Sequence, residues 1–356
     1  MAALQGCTLP YYWQAAAGHL DLVRKRVPIE DVVADTQQPE SVRDALERVV
    51  EMRGFAVTEL GLPDNGSYRS YVDLDRPYVV WNVVAAEEFS VEPKQWCFVF
   101  LGCVSYRGYF DRDAAERFAD SLHAEGLETY LAGAIAYSTL GYFADPVLNT
   151  MLAGGEPYIA GVLFHELAHQ KFYVKGDSDL NEAFATAVQQ FGTELWLERR
   201  GSSSDVEAYR RRLGRQTDFA ELVASQRARL AQIYSAQTTA AAKRAAKAAA
   251  FDQMREDYAR YRASWGGVTD YDAWFAQPLN NAQLASVATY RRWLPGLLWY
   301  LDGHGLSGFY EAMAALETLS PQLRLERLQS WLEAASVEET SGSRVAESPT
   351  VPVGDP

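Results

Sequence analysis

Two histidines and a glutamate stand at a spacing that suits metal-ion chemistry. Residues 162–169 read VLFHELAH, so His165, Glu166 and His169 form an H-E-x-x-H pattern in an apolar stretch with helical periodicity. Four residues of an α-helix rotate by about 400° and rise about 6 Å, which puts both imidazoles on one face, one turn apart. This geometry suits two nitrogen ligands of one tetrahedral Zn²⁺, with Glu166 as the base for a water molecule that the metal activates.

A zinc hydrolase also needs a third protein ligand and an open fourth position. Glu182 follows His169 by 13 residues, in a stretch (179–186, DLNEAFAT) that predicts the start of a second helix. The intervening GDSD segment can turn the chain back, so that the second helix lies beside the first and Glu182 completes a His₂Glu set. A second interpretation stays open. With Asp179 as the N-cap, Glu182 would stand at position N3 as an ordinary capping-box residue.

The composition is that of a globular protein and excludes several functional classes. Of the 356 residues, 48% are hydrophobic and 22% are charged. No run of 18 apolar residues occurs, so the sequence predicts no transmembrane helix. Lys plus Arg number 33 against 47 Asp plus Glu, a net charge of −14. This charge argues against a nucleic-acid partner, because such binding depends on basic side chains that meet phosphates.

The elements predicted around the metal residues change character along the chain. Residues 10–55 are predicted to be mostly helical, and strand-like runs follow at 78–84, 97–104 and 128–135, with a helix over 113–126. Further helices are predicted at 158–171, 180–199, 205–262 (broken, with an Ala-rich stretch near 239–250), 283–301, 306–317 and 321–335. We therefore divide the chain into an N-terminal helical and mixed α/β part (1–156), a helical part with the metal residues (157–336) and a tail expected to be disordered (337–356).

The three cysteines are too few for a disulfide scaffold. Cys97 and Cys103 flank the run FVFLG, and a straight strand would hold them about 20 Å apart, so a disulfide requires the chain to fold back between them. Two buried thiols and a disulfide are both compatible with this spacing. Residues 4–7 (LQGC) are similar to the lipobox of bacterial lipoproteins, but no apolar signal-peptide segment precedes them. Lipidation of Cys7 and a chance match therefore both stay open.

The two metal-binding segments together resemble a known class of enzyme. HELAH followed by NEAFAT is similar to the gluzincin metallopeptidases, in which a glutamate on a second helix is the third zinc ligand. More specifically, the chain resembles a bacterial family of predicted aminopeptidases, which are commonly predicted lipoproteins of Gram-negative bacteria. The likeness covers most of the chain and lies in residues 11–15, 97–110, 136–148, 165–186 and 280–282, and in Tyr290.

This resemblance carries several implications. It implies a zinc peptidase that acts on peptides in the periplasm, with Zn²⁺ held by His165, His169 and Glu182. It also implies a Cys97–Cys103 disulfide in that oxidising compartment and a membrane tether through a lipidated Cys7. We predict an α+β, gluzincin-like zinc peptidase fold with a small mixed sheet, an H-E-x-x-H helix and a mostly helical C-terminal half.

A zinc peptidase also needs a donor that stabilises the oxyanion of the tetrahedral intermediate. We choose Tyr290 because it belongs to the helical region that follows the metal helices, and Tyr173 and His304 are rivals. Any one of the 20 tyrosines can equally be an ordinary core or surface residue. Zinc-bound histidines usually donate their second ring N–H to a further group. The sequence offers three carboxylates for this role, namely Asp177, Asp179 and Glu194.

Three more residues are candidates for substrate binding, each with a structural alternative. Asn281 precedes a predicted helix and is expected to bind the substrate backbone or to cap that helix. Asp145 lies at the end of a predicted edge strand that would pair with an extended peptide, although it can equally be a turn residue. Glu156 is the nearest carboxylate upstream of the metal helix, so it would hold the substrate ammonium group or simply favour the helix dipole.

These observations lead to one prediction and two alternatives. We predict zinc-dependent hydrolysis of peptide bonds, with removal of N-terminal residues. The aminopeptidase part rests on the resemblance alone, because the sequence has no G-x-M-E-N-type motif. The alternatives are a zinc endopeptidase or processing protease, and a non-catalytic periplasmic binding lipoprotein with a vestigial metal site.

Overall fold

The fold was analysed in a computed structural model, which describes residues 9–98, 102–136, 139, 143–201, 203–287 and 292–345. The helices are α1 (Leu9–Arg24), α2 (Ile29–Ala34), α3 (Glu40–Thr58), α4 (Arg112–Ala124), α5 (Asn149–Leu152), α6 (Glu156–His169), α7 (Ser178–Arg199), α8 (Ser203–Ser235), α9 (Ala240–Ser264), α10 (Asp272–Phe275), α11 (Asn281–Ser286), α12 (Leu294–Thr318) and α13 (Pro321–Val345). The strands are β1 (Val27–Pro28), β2 (Ser70–Val72), β3 (Val80–Ala86), β4 (Trp96–Phe98), β5 (Gly102–Val104), β6 (Arg107–Tyr109), β7 (Glu128–Ala134) and β8 (Val147–Leu148). The architecture is mixed α+β, with small sheets in the first half. None of these described helices combines the length and the apolar content that crossing a membrane requires.

The two larger sheets have three strands each. β3 is the centre of an antiparallel sheet with the order β6-β3-β7, in which Val83 lies opposite Leu131 of β7 and Arg107 of β6. β2 pairs antiparallel with β1 and parallel with β8, so Tyr71 lies opposite Val147. Neither sheet contains a candidate metal residue, and the β1-β2-β8 sheet packs into the same core as α6 and α7.

The segment predicted as a single strand over 97–104 is a hairpin. β4 and β5 pair antiparallel, with Cys97 opposite Cys103, and the two sulfurs form a disulfide. The run of β-branched and aromatic residues predicts an extended chain here, and it contains no strong turn signal that would mark the reversal. Residues 99–101, which connect the two strands, lie outside the described part of the chain.

Helices α6 and α7 follow each other in the chain and pack side by side. α6 is apolar around most of its circumference, with Leu163, Phe164 and Leu167 fully buried. Gly192 of α7 permits a close approach, because a Cβ at this position would lie 2.6 Å from Leu60 and 3.1 Å from Phe164. The metal residues therefore sit on a helix pair whose spacing is set by tight contacts.

The main core crosses the boundary that we drew at residue 156. It joins α2 and α3 with α6, α7, α12 and α13, and its members include Leu46, Met52, Phe184 and Phe309. The Phe184 and Phe309 rings stack with centroids 5.6 Å apart, which fixes α12 against α7. The first and second parts of the sequence thus share one hydrophobic interior.

A second core lies between α8 and α9, which form a long antiparallel pair with Phe219, Leu230 and Met254 inside. The predicted break in the segment 205–262 falls at residues 236–239, where Thr239 caps α9 by accepting a hydrogen bond from the backbone N–H of Ala242 at 3.2 Å. The Ala-rich stretch therefore begins α9. This pair carries few residues of the main core, so it needs separate contacts to hold it against the sheet.

The C-terminal helices differ from the prediction at two places. The predicted break between 301 and 306 is a kink within α12, at Gly305, whose backbone (φ 64°, ψ 177°) is not helical. α13 continues through Val345, into the region where we expected a disordered tail from residue 337. Glu338 is anchored there because its carboxylate accepts a hydrogen bond from the indole N–H of Trp299 at 2.6 Å. Residues 346–356 lie outside the described residues.

Candidate metal centre

Three ligand groups converge where the end of α6 meets the beginning of α7. The Nε2 atoms of His165 and His169 are 3.1 Å apart. The carboxylate of Glu182 lies 3.4 Å from Nε2 of His165 and 3.6 Å from Nε2 of His169. Within the described residues these three side chains form a group that could hold a metal ion. The structure thus brings together the three ligands indicated by the sequence pattern.

The spacing and the donor types fit a zinc ion. Ligand atoms bound at about 2.0–2.1 Å in a tetrahedral arrangement are about 3.3–3.4 Å from one another. The two Nε2 atoms are 3.1 Å apart, and each has one Glu182 oxygen near it, Oε2 at 3.4 Å from His165 and Oε1 at 3.6 Å from His169. The separations are thus close to those of zinc ligands. The side chain of Glu182 is 38% exposed, so the site is open to solvent on that side. Three ligands with an open side are the arrangement of a catalytic rather than a structural zinc site.

The connection between the helices explains how Glu182 reaches the histidines. Asp177 caps α7 by accepting a hydrogen bond from the backbone N–H of Leu180, so Glu182 is the fifth residue of the helix. The capping-box interpretation of Glu182, which required it at the third helical position, is therefore wrong. Asn181 fastens the connection, since its amide both accepts from the N–H and donates to the C=O of Val174, each at 2.8 Å.

Gln189 orients the first ligand and was missed in the sequence analysis. Its Oε1 lies 3.0 Å from Nδ1 of His165. An N–H at Nδ1 that donates to this oxygen leaves Nε2 with a free lone pair directed at the metal position. The spacing could have identified Gln189, because it follows Glu182 by seven residues, two helical turns, on the same face. Of the carboxylates that we considered instead, Asp177 pairs with Arg324 and Glu194 with Arg210.

The electrostatics of the group favour a positive charge among the ligands. Burial lowers the pKa of His165, but the hydrogen bond that it donates to Glu182 and the charges of Glu166 and Glu182 outweigh this effect, and the pKa is raised. Burial raises the pKa of Glu182, yet its hydrogen bonds with His165 and His169 and their charges hold that pKa well below its usual range. A carboxylate that stays ionised beside two imidazoles is suited to a cation.

Glu166 lies next to the candidate ligands, and the contacts of its carboxylate differ from those of Glu182. It is partly buried, and its charge contributes to the raised pKa of His165. Its carboxylate makes no hydrogen bond or ion pair with any other residue in the described part of the chain. A free carboxylate beside a metal site is what a general base requires.

A comparison with models of protein families shows to which family the chain belongs. The model of the family described as "Putative aminopeptidase" matches residues 10–328. The chain belongs to this family. No curated protein and no solved structure matches the chain. The matched region contains all three candidate ligands, so the candidate metal centre belongs to the part of the chain that the family model covers.

The three substrate-binding candidates of this aminopeptidase family member all have internal contacts. Glu156, at the start of α6, binds Arg48 at 3.0 Å, Arg200 at 2.9 Å and the indole N–H of Trp196 at 3.0 Å. It precedes His165 by nine residues, which is about 13–14 Å along a helix. The structure therefore does not bring Glu156 to the metal centre.

Asn281 is also occupied inside the protein. It is fully buried at the start of α11, where its N–H donates to Glu128 at 2.7 Å and its Oδ1 accepts from the hydroxyl of Tyr234 at 2.7 Å. Its Nδ2 donates to the carbonyls of Glu87 and Glu88, each at 3.0 Å. These contacts tie α11 and α8 to the β3–β7 sheet, and they engage both ends of the amide.

Asp145 lies in a loop and not in a strand. Its carboxylate accepts hydrogen bonds from the N–H of Thr139 at 2.9 Å and from the Thr139 hydroxyl at 2.8 Å, and it is buried. The backbone N–H of Asp145 donates to the hydroxyl of Ser67 at 3.3 Å, and Ser67 in turn accepts from Gln170 at 3.4 Å. Because Gln170 follows His169, this chain of contacts connects the loop to the end of the metal helix.

The remaining candidate residues either lie outside the described part of the chain or have other surroundings. Tyr290 and Cys7 lie outside the described residues. Tyr173 is 45% exposed in the connection between α6 and α7. His304 stacks on Tyr300 with centroids 4.0 Å apart, and its Nδ1 lies 2.9 Å from the Tyr300 carbonyl oxygen.

A cleft of about 850 Å³ borders α7 at Gln190, the residue after Gln189. Its walls come from α8, α12 and α13, and most of them are apolar, with Leu213, Leu294 and Leu298 among the lining residues. Its polar rim includes Arg292. The cleft has the volume of a small-ligand site and provides room for a peptide side chain.

Proposed function

We propose that this protein is a zinc-dependent peptidase that removes N-terminal residues from peptides. The observation that carries the proposal is the convergence of two imidazole nitrogens and one carboxylate within 3.6 Å, beside Glu166, whose carboxylate has no partner among the described residues. Membership of the aminopeptidase family supports peptidase activity. The zinc ion and the gluzincin type of mechanism are parts of the proposal.

Each residue of the centre has a role in this mechanism. His165, His169 and Glu182 would hold the ion, and Gln189 keeps His165 in the tautomer with Nε2 free. A zinc ion in this position supplies Lewis acidity toward a water molecule and the peptide carbonyl. Glu166 takes the proton from the attacking water and passes it to the amine nitrogen as the C–N bond breaks.

Two groups complete the proposed substrate site. Tyr290 is the proposed donor to the oxyanion, as the family resemblance suggests. The apolar cleft beside Gln190 is proposed to take an apolar side chain next to the scissile bond, a role that its volume and lining support. Peptides with leucine or phenylalanine at this position should therefore be cut faster than those with glutamate or lysine.

One observation favours an endopeptidase as the second candidate. An aminopeptidase needs a carboxylate that binds the substrate ammonium group, and Glu156 is occupied by Arg48, Arg200 and Trp196. Peptides with a free and with an acetylated N-terminus separate the two candidates. An aminopeptidase leaves the acetylated peptide intact, whereas an endopeptidase cleaves both.

We also propose a periplasmic location with a lipid tether at Cys7. The disulfide between Cys97 and Cys103 supports an oxidising compartment, because such bonds are rare in the cytosol. The N-terminal peptide of the protein from bacterial membranes should carry acyl chains on Cys7, as measured by mass spectrometry. A soluble, unmodified protein in the cell extract would contradict the tether.

Zinc content and peptide turnover test the function directly. Protein purified without chelators or a His tag should contain about one zinc per chain by elemental mass spectrometry and should hydrolyse unblocked peptides. If one zinc is bound but no peptide is cut, the alternative of a non-catalytic binding lipoprotein gains support. If no zinc is bound and none is taken up, the mechanism fails.

A further inference from the structure

One face of α1 is apolar and exposed along the whole helix. We define the outer face of α1 by Tyr12, Trp13, Ala16, Ala17, Leu20, Val23 and Arg24. Trp13 is 77% exposed, Leu20 50% and Val23 38%, and the two alanines between them are also exposed. Their spacing of three and four residues puts them on one side of the helix, in a stripe about 120° wide.

The opposite side of α1 fixes its orientation. Gln14 donates to the carbonyl of Gly108 at 3.2 Å and accepts from the N–H of Phe110 at 3.1 Å. The ring of Tyr11 lies 5.6 Å from that of Tyr109, and Leu22 is buried in the main core. The helix is thus attached by one side, and the outer face must point away from the protein.

The charge near α1 differs from that of the rest of the chain. Residues 9–28 contain Arg24, Lys25 and Arg26 against a single acid, Asp21, a net charge of +2 in a chain of net charge −14. Asp21 is paired with Lys25 at 2.8 Å. The exposed Arg24 is the charged residue in our definition of the outer face, at its C-terminal end. A basic group at the end of an apolar stripe is complementary to an anionic surface.

We propose that the outer face of α1 binds to the surface of a lipid bilayer with anionic headgroups. Trp13 suits the boundary between headgroups and acyl chains, Leu20 and Val23 would enter the acyl layer, and Arg24 would reach a phosphate. The basic residue at the end of the apolar stripe favours an anionic membrane over a second copy of this chain.

The proposal does not depend on the enzymatic function. It does complement the lipid tether, because Cys7 precedes the first residue of α1 by two positions and a single acyl chain gives only marginal membrane binding. A second contact on α1 would make the attachment stable and would set which side of the protein faces the membrane.

Vesicle co-sedimentation tests the outer face without any acyl chain. The full chain carrying Cys7→Ser is mixed with vesicles of phosphatidylcholine and phosphatidylglycerol, and with pure phosphatidylcholine vesicles. We expect binding to the anionic vesicles and at least tenfold weaker binding for the double variant Trp13→Ser/Leu20→Ser. Leu323→Ser, on α13 and also 52% exposed, is the matched control and should bind as the parent does.

A charge variant and a hydrodynamic measurement complete the test. Arg24→Glu should weaken binding to anionic vesicles by roughly tenfold and leave binding to neutral ones nearly unchanged, because it reverses one charge near the surface. The proposal is overturned if the parent chain does not bind anionic vesicles, or if the double variant binds equally well. It is also overturned if sedimentation velocity shows a dimer of the parent that Trp13→Ser/Leu20→Ser dissociates.

Discussion

The two glutamates of the metal centre have different surroundings, and this difference assigns their roles. Glu182 lies within 3.6 Å of both imidazoles, and their hydrogen bonds and charges hold its pKa low against the effect of burial. Glu166 neighbours the same ligands but keeps its carboxylate free among the described residues. The carboxylate of the proposed ligand is thus held beside both imidazoles, whereas that of the proposed base stays available for a proton.

Replacement of Glu166 by glutamine separates catalysis from metal binding. The amide keeps the size of the side chain but cannot accept a proton, so kcat should fall by about 10²–10⁴-fold while zinc content stays near one per chain. Peptide turnover and elemental mass spectrometry measure the two quantities. Glu182→Gln is the matched control and should lose zinc. The roles would be exchanged if Glu166→Gln lost zinc and Glu182→Gln kept it.

The second testable residue is Gln189, which acts through His165. Gln189→Ala removes the acceptor at Nδ1, so the imidazole loses its fixed tautomer, and zinc affinity should fall by about 10–100-fold. Competition with a fluorescent zinc chelator measures this affinity. Gln190→Ala, one residue along the same helix, should leave the affinity unchanged. Equal affinities for the Gln189 variant and the parent would exclude the orienting role.

Single residues also show how far the sequence could be interpreted. His165 and His169 were predicted to share a face because helical spacing determines which side chains lie together. Glu182, on the next helix, was indicated by the turn that connects the two helices and by the family resemblance. The contacts of Asn281 and Glu156 could not be predicted, because their partners come from distant segments such as Tyr234 and Arg48. A polar residue near a site has the same local pattern whether it binds substrate or closes a buried network.

At the scale of elements, the glycine at the α6–α7 contact is decisive. A Cβ at Gly192 would lie 2.6 Å from Leu60 and 3.1 Å from Phe164, whereas one at Gly214 of α8 would meet nothing within 4 Å. The packing of α7 against α6 and Leu60 therefore leaves no room for a side chain at position 192.

Alanine at these two glycines should have opposite effects. Gly192→Ala should lower the free energy of unfolding by about 1–3 kcal/mol because it overpacks the contact. Gly214→Ala should raise it by about 0.5–1 kcal/mol, since alanine is the better helix former and no clash occurs. Chemical denaturation of both variants gives these values. Similar changes for the two would mean that the close packing does not limit position 192.

Element boundaries were predictable where local signals dominate and not elsewhere. Asp177 and Thr239 are ordinary N-caps. The helix after Asp177 starts within two residues of its predicted start, and the helix after Thr239 starts at the predicted break. The hairpin that brings Cys97 to Cys103 depends on pairing between two strands, and the extension of α13 depends on the contact between Glu338 and Trp299. Such tertiary contacts leave no mark in local periodicity.

On the scale of the whole molecule, the α8–α9 pair is held to the sheet by a polar network. The ammonium group of Lys247 forms an ion pair with Glu128 of β7 and donates to the carbonyl of Glu88 at 2.8 Å. The same Glu128 carboxylate accepts from the N–H of Asn281 at 2.7 Å. Because the side chain of Lys247 is only 10% exposed, the network is largely shielded from water.

Replacing Lys247 alone should lower the free energy of unfolding more than replacing both Lys247 and Glu128. Lys247→Met leaves the Glu128 carboxylate without its counter-ion and should lower the free energy of unfolding by roughly 2–4 kcal/mol. The double variant Lys247→Met/Glu128→Gln should recover part of this loss, because no unpaired charge remains. Denaturant titration measures both. The ion pair would be unimportant if Lys247→Met unfolded at the parent's midpoint.

The kink in α12 has a consequence for how the protein can evolve. Gly305 adopts a backbone conformation that is almost restricted to glycine (φ 64°, ψ 177°), so it divides α12 into two segments with different directions. Leu294 and Leu298, before the kink, line the cleft, whereas Phe309, after it, stacks on Phe184 of the metal helix α7. Substitutions in the first segment can therefore change which side chains enter the cleft while the second segment keeps its shape. If the cleft binds a substrate side chain as proposed, substitutions in the first segment would change which side chain fits without moving Phe309 from Phe184.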